Sequence, residues 1–170
     1  MARSGYVARI REKIDRDLLM LHAVSIFVFD AAGRFLIAQP RGADTWITIG
    51  GGVEPDEAPA DAAVREFWEE TGAIVRPTRV LGVFGGPEMR ITYSNGDLVA
   101  YTSTAFEAEL VSGDLAADGE ELQALRWTAP AEVALLPMMD GMRYVVESAL
   151  AARNAGETQF RQATWAPPAK

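Results

Sequence analysis

The spacing of hydrophobic and polar positions predicts a chain in which helices and strands are mixed. Helical spacing or composition indicates four helices, over residues 5–16, 59–71, 130–135 and 138–153. Ser4 is available to cap the first helix, and Gly72 follows the second, which is typical of a helix C-terminus. The third helix starts with a proline just inside its first turn, where the missing N–H costs little.

Runs rich in β-branched and aromatic residues predict seven strands, at residues 21–29, 34–38, 46–49, 79–84, 89–94, 97–106 and 122–127. The turn residues between the first two runs favour a hairpin, and Asn95-Gly96 favours another. The elements do not alternate as a regular βαβ repeat, and no linker divides the chain. We therefore expect one domain over residues 1–170, ending in a polar, extended tail over residues 154–170 that packs through Phe160 and Trp165 against this chain or a partner.

The amino-acid composition limits the kinds of metal site and binding partner that the chain can have. The 170 residues are 49% hydrophobic, with one histidine and no cysteine, so a bound metal must be held mainly by oxygen. No stretch approaches the roughly 18 apolar residues of a membrane span, and residues 1–16 lack a secretory apolar region, which predicts a cytoplasmic protein. A net charge of −8 argues against binding to nucleic-acid polymers or acidic membranes, but a small phosphorylated ligand remains compatible.

Three carboxylates stand out on the second predicted helix. Glu66, Glu69 and Glu70 are spaced i, i+3 and i+4, which places them on one helix face. Like charges at this spacing repel, and Arg65 alone cannot neutralise three of them. A divalent metal would do so; the alternative is a solvated acidic face. Glu57 and the glycine turn before the helix favour the metal site.

The segment GGVEPDEAPADAAVREFWEETGA, residues 51–73, resembles the signature of the Nudix (MutT-like) hydrolases. The resemblance extends over residues 21–151 and implies an α+β fold, the Nudix-type α/β/α sandwich with a mixed sheet and a catalytic strand-loop-helix. Ile49 stands where a proline is common, and Ala73 where a larger aliphatic residue usually closes the signature. Neither departure removes a carboxylate.

The resemblance also implies roles for individual residues. Magnesium or manganese would be bound by Glu66, Glu69, Glu70 and the Gly50 carbonyl. The catalytic residues would be Glu57, which supports the cluster, Arg65, which orients the glutamates, Glu69 and Glu121. Glu121 or its neighbour Glu120 has the position of an additional glutamate that enters from an opposing loop in many members. Either Glu69 or Glu121 could take the proton, and the sequence leaves this choice open.

The expected activity is that of a metal-dependent pyrophosphohydrolase cleaving a nucleoside diphosphate linked to another moiety, of the nucleoside triphosphate or ADP-ribose type. The alternative is a nucleotide-binding sensor of the same fold without turnover. Arg41, Arg90 and Tyr93 are candidates for substrate binding through phosphate contacts or base stacking, although each could be a plain surface residue. His22 is expected to be structural, and the basic first helix suggests a homodimer.

Overall fold

The computed structural model describes residues 5–93, 95–139 and 141–167. Its α-helices are α1 (Gly5–Ile14), α2 (Pro59–Thr71) and α3 (Met142–Ala155). Its strands are β1 (Leu19–Val28), β2 (Phe35–Pro40), β3 (Ile74–Phe84), β4 (Arg90–Thr92), β5 (Leu98–Ser112), β6 (Leu122–Thr128) and β7 (Gln159–Phe160). Two 3₁₀ helices lie at Pro87–Met89 and Pro130–Leu135.

The main sheet is mixed and has the strand order β1-β5-β3-β7, with β4 paired to β5. β1 and β5 run parallel in unbroken register from Leu19 and Val99 to Val28 and Ala108. β3 is antiparallel to β5, with three register shifts along its length. β2 and β6 form a separate antiparallel pair. The mixed sheet therefore agrees with the expectation from the sequence.

The main sheet lies between α2 and α3 because its strands are apolar on both faces. On one face, Val24, Ile26 and Phe106 are buried with Phe67 of α2. On the other, Phe27, Leu81 and Ala105 are buried with residues of α3, among them Val145, Val146 and Ala149. Alternate residues of a strand point to opposite faces, so each long strand supplies both cores. This is the α/β/α sandwich implied by the resemblance.

The segment over residues 46–53 joins the two sheets and carries the glycine turn. Ile26 N–H donates to the Ile49 carbonyl, and Ala38 N–H donates to the Ile47 carbonyl, both at 2.9 Å. The predicted strand at residues 46–49 is thus extended, but it makes isolated bridges to its neighbours. Its position between β1 and β2 brings the glycines against the second half of α2, at Arg65, Glu66 and Glu70.

The predicted hairpin of the first two strands is wrong beyond its turn. Phe29 pairs with Phe35, and Asp30 N–H donates to the Arg34 carbonyl at 2.9 Å. The strands then separate, because β1 pairs with β5 and β2 pairs with β6. Continuous apolar runs such as Val24–Val28 are buried on both faces, and such strands take partners distant in sequence.

Several element boundaries and one helix type differ from the prediction. Among the strands, β3 begins at Ile74 rather than 79, and β5 ends at Ser112 rather than 106. The first helix ends at Ile14 because Asp15 adopts a positive φ of 53°; Ser4 lies outside the described residues. The third predicted helix, Pro130–Leu135, is a 3₁₀ helix. The last helix begins at Met142 rather than 138, after Gly141 with a φ of 78°.

The C-terminal tail follows α3 and Gly156 and adds β7 to the main sheet. Gln159 and Phe160 pair in parallel with Gly82 and Val83 of β3. The side chains of Phe160 and Trp165 are 63% and 80% exposed. This backbone pairing holds the tail to this chain, together with hydrogen bonds from the Thr158 hydroxyl to the Val80 carbonyl at 2.9 Å and from Arg161 to Glu88 at 2.6 Å. Packing of the two rings against a partner stays a prediction. Over the described ranges, no helix is both long enough and apolar enough to cross a membrane.

Candidate functional site

The site begins where the glycine turn meets α2. Gly50 has a φ of 145°, and a Cβ there would overlap the carbonyl oxygen of Val24. A Cβ at Gly51 would overlap the carboxylate of Glu66. Only glycine tolerates this backbone conformation and this close approach to β1 and α2. The turn can therefore lie directly against the carboxylates of the helix.

Glu70 is the most buried carboxylate of the site. It is 5% exposed, and its Oε2 accepts a hydrogen bond from Gly50 N–H at 3.1 Å. The pKa of Glu70 is raised to about 8, chiefly by burial and also by the charges of Glu66, Glu121 and Asp118, against the effect of the Gly50 hydrogen bond, which lowers it. A negative charge at this position is unfavourable unless a cation or a proton compensates for it.

Glu66 lies one helical turn earlier and is also largely buried, with its side chain 16% exposed. Burial raises its pKa, and the Arg65 hydrogen bond and charge oppose that rise. The charges of Glu69 and Glu121 raise the pKa further. Glu66 and Glu70 therefore share the same electrostatic situation: buried carboxylates with other negative charges close by.

Arg65 is the hub of the cluster. Its guanidinium donates to Glu57 at 2.8 and 2.9 Å, to Glu66 at 2.8 Å and to Glu69 at 3.1 Å. It also donates to the Gly52 carbonyl at 2.9 Å. The hydrogen bonds that Arg65 donates to Glu57 are the main reason that the pKa of Glu57 is lowered and that the pKa of Arg65 is raised. One planar group thus ties the glycine turn to α2, and its orienting position is the one expected from the sequence.

Glu69 differs from its neighbours although it lies on the same helix. Its side chain is 48% exposed and receives the Arg65 hydrogen bond. The i, i+3, i+4 spacing correctly places three carboxylates along α2. Their environments range from nearly enclosed at Glu70 to half-exposed at Glu69.

A second loop, residues 118–122, approaches α2 from across the site. Asp118 N–H donates to the Glu70 carbonyl at 3.2 Å, and Arg41 N–H donates to the Glu121 carbonyl at 2.7 Å. The charge of Glu121 acts on both Glu66 and Glu70. The structure therefore brings Glu121 to the cluster, as the resemblance implied.

Sequence reasoning missed Asp118. Its carboxylate accepts hydrogen bonds from the backbone of the loop that carries Glu121. Asp118-Gly119 is a turn-forming pair three residues before Glu121. That spacing is the signal that the sequence offers for it.

The three substrate-binding candidates lie in different surroundings. The Arg41 guanidinium donates to the Gly119 carbonyl at 3.1 Å, which places it beside the Glu121 loop. Arg90 is an exposed residue of β4, whose strand partner is β5. The Tyr93 hydroxyl is 2.7 Å from the Tyr101 hydroxyl, also on β5. The substrate roles of Arg41, Arg90 and Tyr93 stay predictions.

His22 has a described hydrogen-bond partner on the sheet. Its Nε2 lies 3.2 Å from the Thr104 hydroxyl, and its carbonyl accepts from Val53 N–H at 3.0 Å. Both contacts hold β1 to its neighbours. They agree with the structural role expected for this histidine.

The donor chemistry of the cluster fits a hard divalent cation. Within the described residues, no three His, Asp or Glu side chains are already arranged as a metal cage. Arg65 and Gly50 N–H instead hold the carboxylates of Glu66 and Glu70. These carboxylates are oxygen ligands, they are buried, and they repel one another, which is the environment that Mg²⁺ or Mn²⁺ stabilises.

Solved structures resemble this chain in fold. A UDP-X diphosphatase superposes with a TM-score of 0.70 and 20% identity, over 94% of this chain and 75% of that chain. An ADP-ribose pyrophosphatase from Streptococcus suis gives a TM-score of 0.63 and 19% identity, over 82% and 96% of the two chains. At these identities the likeness shows the fold alone.

Curated relatives match a shorter stretch. The human diphosphoinositol polyphosphate phosphohydrolase 3-alpha is 51% identical over 49 residues, which is 29% of this chain and 30% of that protein. The match therefore spans less than a third of the relative's length.

The family model described as NUDIX domain matches residues 20–149. These findings support the enzyme class expected from the signature, a Nudix hydrolase. Because this family model matches most of the chain, the protein belongs to the NUDIX domain family, and the family and fold expected from residues 51–73 are confirmed.

Proposed function

We propose that this protein is a divalent-metal-dependent pyrophosphohydrolase that cleaves a nucleoside diphosphate linked to another moiety. The observation that carries the proposal is the buried carboxyl pair Glu66 and Glu70, whose pKa values are raised and which lies under the glycine turn and opposite Glu121. Burial disfavours the charged form of both groups unless a cation or a proton compensates for it, so their placement between the glycine turn and the Glu121 loop favours a cation-dependent activity. Membership of the NUDIX domain family supports the same reaction class.

The cation is Mg²⁺ or Mn²⁺ in this proposal. Bound there, it would neutralise charge on the diphosphate oxygens and lower the pKa of a water molecule. The ligands that we propose are Glu66, Glu69, Glu70 and the carbonyl oxygen of Gly50. The half-exposed Glu69 is released from Arg65 most easily, because its hydrogen bond is long and open to water.

The remaining side chains orient reactants and move one proton. Arg65 holds Glu57 through two hydrogen bonds and Glu66 through one. A carboxylate, Glu69 or Glu121, accepts the proton of the attacking water as its oxygen bonds to phosphorus. The P–O bond to the leaving phosphate group breaks in the same displacement. Glu121 lies across the site from α2, and Glu69 lies on it.

The names of the similar proteins support a phosphate-anhydride substrate and leave its attached group open. A structural neighbour is named for UDP-X, another for ADP-ribose, and the human relative for diphosphoinositol polyphosphates. Nucleoside triphosphates and ADP-ribose-type compounds remain our proposed substrates, with Arg41, Arg90 and Tyr93 as contacts. A cytoplasmic location and a homodimer belong to the same proposal.

A substrate screen tests this proposal. The purified protein is incubated with Mg²⁺ or Mn²⁺ and with nucleoside triphosphates, ADP-ribose, dinucleoside polyphosphates, nucleotide sugars or diphosphoinositol polyphosphates, and products are separated by chromatography. We expect metal-dependent release of a nucleoside monophosphate from one nucleotide class. Turnover that persists with chelator would contradict the metal role. Tight nucleotide binding without turnover would contradict the enzyme and support the sensor alternative.

A further inference from the structure

The loop that presents Glu121 is organised around one side chain, Asp118. Asp118 Oδ1 accepts hydrogen bonds from the backbone N–H groups of Leu122 at 2.8 Å and of Glu120 and Glu121 at 3.2 Å. Its Oδ2 also receives Glu121 N–H at 3.2 Å. A single carboxylate thus gathers three consecutive N–H groups, including that of Glu121 itself. Such charge-assisted bonds are stronger than neutral ones.

The same loop is attached at both sides of the site. Asp118 N–H donates to the carbonyl of Glu70 at the end of α2. On the other side, Arg41 at the end of β2 donates its N–H to the Glu121 carbonyl and its guanidinium to the Gly119 carbonyl. Gly119 N–H closes the turn on Leu122 at 3.0 Å. The loop therefore has a defined position relative to α2.

We infer that Asp118 is a positioning residue that holds Glu121 opposite Glu66 and Glu70. The inference rests on the proposed function, in which Glu121 contributes to the metal and proton chemistry. The carboxylate of Asp118 accepts hydrogen bonds from backbone N–H groups and so sets the conformation of the loop, in addition to the effect of its charge on Glu70. Without it, these three N–H groups turn to water, and Glu121 samples positions away from α2.

Two variants separate this role from an electrostatic one. Asp118→Asn keeps Oδ1 as an acceptor but removes the charge, whereas Asp118→Ala removes the acceptor. For a positioning role, we expect Asp118→Ala to lower kcat about tenfold or more with KM within about twofold, and Asp118→Asn to recover most of that loss. Equal losses in both variants would overturn the inference, because the charge itself would then be what matters.

A double-mutant cycle with Glu121→Ala tests whether Asp118 acts through Glu121. If it does, Asp118→Ala has no further effect beyond about twofold once Glu121 is gone. Independent, multiplicative losses would overturn the inference. Asp30→Ala is the matched control, since Asp30 also accepts two backbone N–H groups, of Ala32 and Arg34, but in the turn between β1 and β2. We expect its kcat to equal that of the unchanged protein.

Amide hydrogen exchange provides a measurement independent of activity. In the metal-free protein, Asp118→Ala should accelerate exchange at Glu121 and Leu122 about tenfold or more, and Asp118→Asn much less. Unchanged exchange in Asp118→Ala would overturn the inference. If the unchanged protein hydrolyses no substrate in the screen, the proposed function fails, and the exchange result alone then decides whether Asp118 fixes the position of Glu121.

Discussion

The two faces of the main sheet each carry an ionic cluster, with opposite charge ratios. On the α3 side, the Glu107 carboxylate on β5 is held by two cations, Arg79 and Arg153, each at 2.8 Å. On the α2 side, the described ion pairs of Glu57, Glu66 and Glu69 all share one cation, Arg65. The first cluster has more positive than negative charge, and the second has the reverse.

This difference separates a structural cluster from a candidate binding site. Two guanidinium groups satisfy one carboxylate, so the Glu107 cluster links β3, β5 and α3 without a further partner. The α2 cluster also includes Glu70, whose carboxylate receives the Gly50 N–H. Its excess of carboxylates over cationic side chains is what a bound cation would compensate. The ratio of carboxylates to arginines, rather than the number of charges, distinguishes the two faces.

The largest expected effect comes from neutralising Glu69 on the α2 face. We expect Glu69→Gln to lower kcat at least about 100-fold, because it removes a proposed metal ligand and candidate base. Its melting temperature should change little, since the Glu69 side chain is 48% exposed. Steady-state kinetics at saturating Mg²⁺ and thermal unfolding measure both quantities.

Glu107→Gln is the matched control for Glu69→Gln. It removes a carboxylate of similar chemistry that contacts Arg79 and Arg153, away from the glycine turn. We expect unchanged kcat and KM with a lower melting temperature. Full activity in Glu69→Gln, or loss of activity in Glu107→Gln with the fold intact, would abolish the distinction between the two faces.

The next largest effect on catalysis is expected from replacing Arg65, the hub of the α2 cluster. Arg65→Lys keeps a positive charge but cannot bridge Glu57, Glu66 and the Gly52 carbonyl, because an ammonium lacks the planar fork. We expect a 10- to 100-fold loss of kcat/KM, on the order found for groups that orient metal ligands, with a weaker apparent Mg²⁺ affinity. Metal titrations of the initial rate measure it.

Arg79→Lys on the opposite face controls for the loss of a guanidinium as such. Arg79 contacts Glu107, and Arg153 remains to hold that carboxylate. Its kinetics should match those of the unchanged protein within about twofold. If Arg65→Lys behaves the same way, the orienting role assigned to Arg65 is wrong.

The sequence predicted the α2 face better than the arrangement of strands around it. The signature spacing depends on local helix geometry, so the positions of Glu66, Glu69 and Glu70 on α2 followed from residue numbers. Arg65 was expected to orient the glutamates, and it contacts Glu66 and Glu69 on its own helix; its two hydrogen bonds to Glu57 were not specified by the sequence. Element boundaries set by local cap residues, such as Gly72 after α2, were correct for the same reason.

Features that depend on distant partners could not be predicted this way. The pairing of β1 with β5 joins residues about 80 positions apart, and it replaces the expected hairpin with β2. β3 begins at Ile74 rather than 79. Its pairing with β5 continues through residues 74–79, in spite of Pro77 and two register shifts there. The contrast between a buried Glu70 and an exposed Glu69 likewise depends on the glycine turn and on Asp118, which lie outside α2.

A smaller effect concerns pH and stability in metal-free protein. The folded pKa of Glu70, about 8, lies above its ordinary 4.5, so the folded state keeps a proton that the unfolded state has released between these values. Stability from this group is therefore present below about pH 4.5 and is lost as pH rises through 8, by at most about 1.4 kcal/mol per pH unit. Relative to Glu70→Gln, the unchanged protein should lose stability from pH 5 to 8 in denaturant unfolding with chelator.

Glu57→Gln should show the opposite sign within the same site. The Arg65 hydrogen bond lowers the pKa of Glu57, so its contribution to stability is present above its ordinary pKa and is lost as pH falls through the lowered folded pKa. The stability difference between the unchanged protein and Glu57→Gln should therefore shrink on acidification. Parallel pH profiles for Glu70→Gln and Glu57→Gln would show that burial does not separate these two carboxylates.

The smallest effect on stability is expected on the α3 side of the sheet, where two arginines compensate the charge of Glu107. Arg153→Met removes an ion pair to Glu107 and a guanidinium that stacks 3.8 Å from the centre of the Phe29 ring, but it leaves Arg79 on Glu107. We expect a loss of about 1 kcal/mol in the free energy of unfolding and unchanged kinetics. Arg76→Met is the control, because the Arg76–Glu109 pair is 70% and 61% exposed, and should cost less than about 0.5 kcal/mol. Equal losses would mean that the doubly paired Glu107 cluster stabilises the protein no more than an ordinary surface pair, and that charge compensation on the α3 face has no structural role.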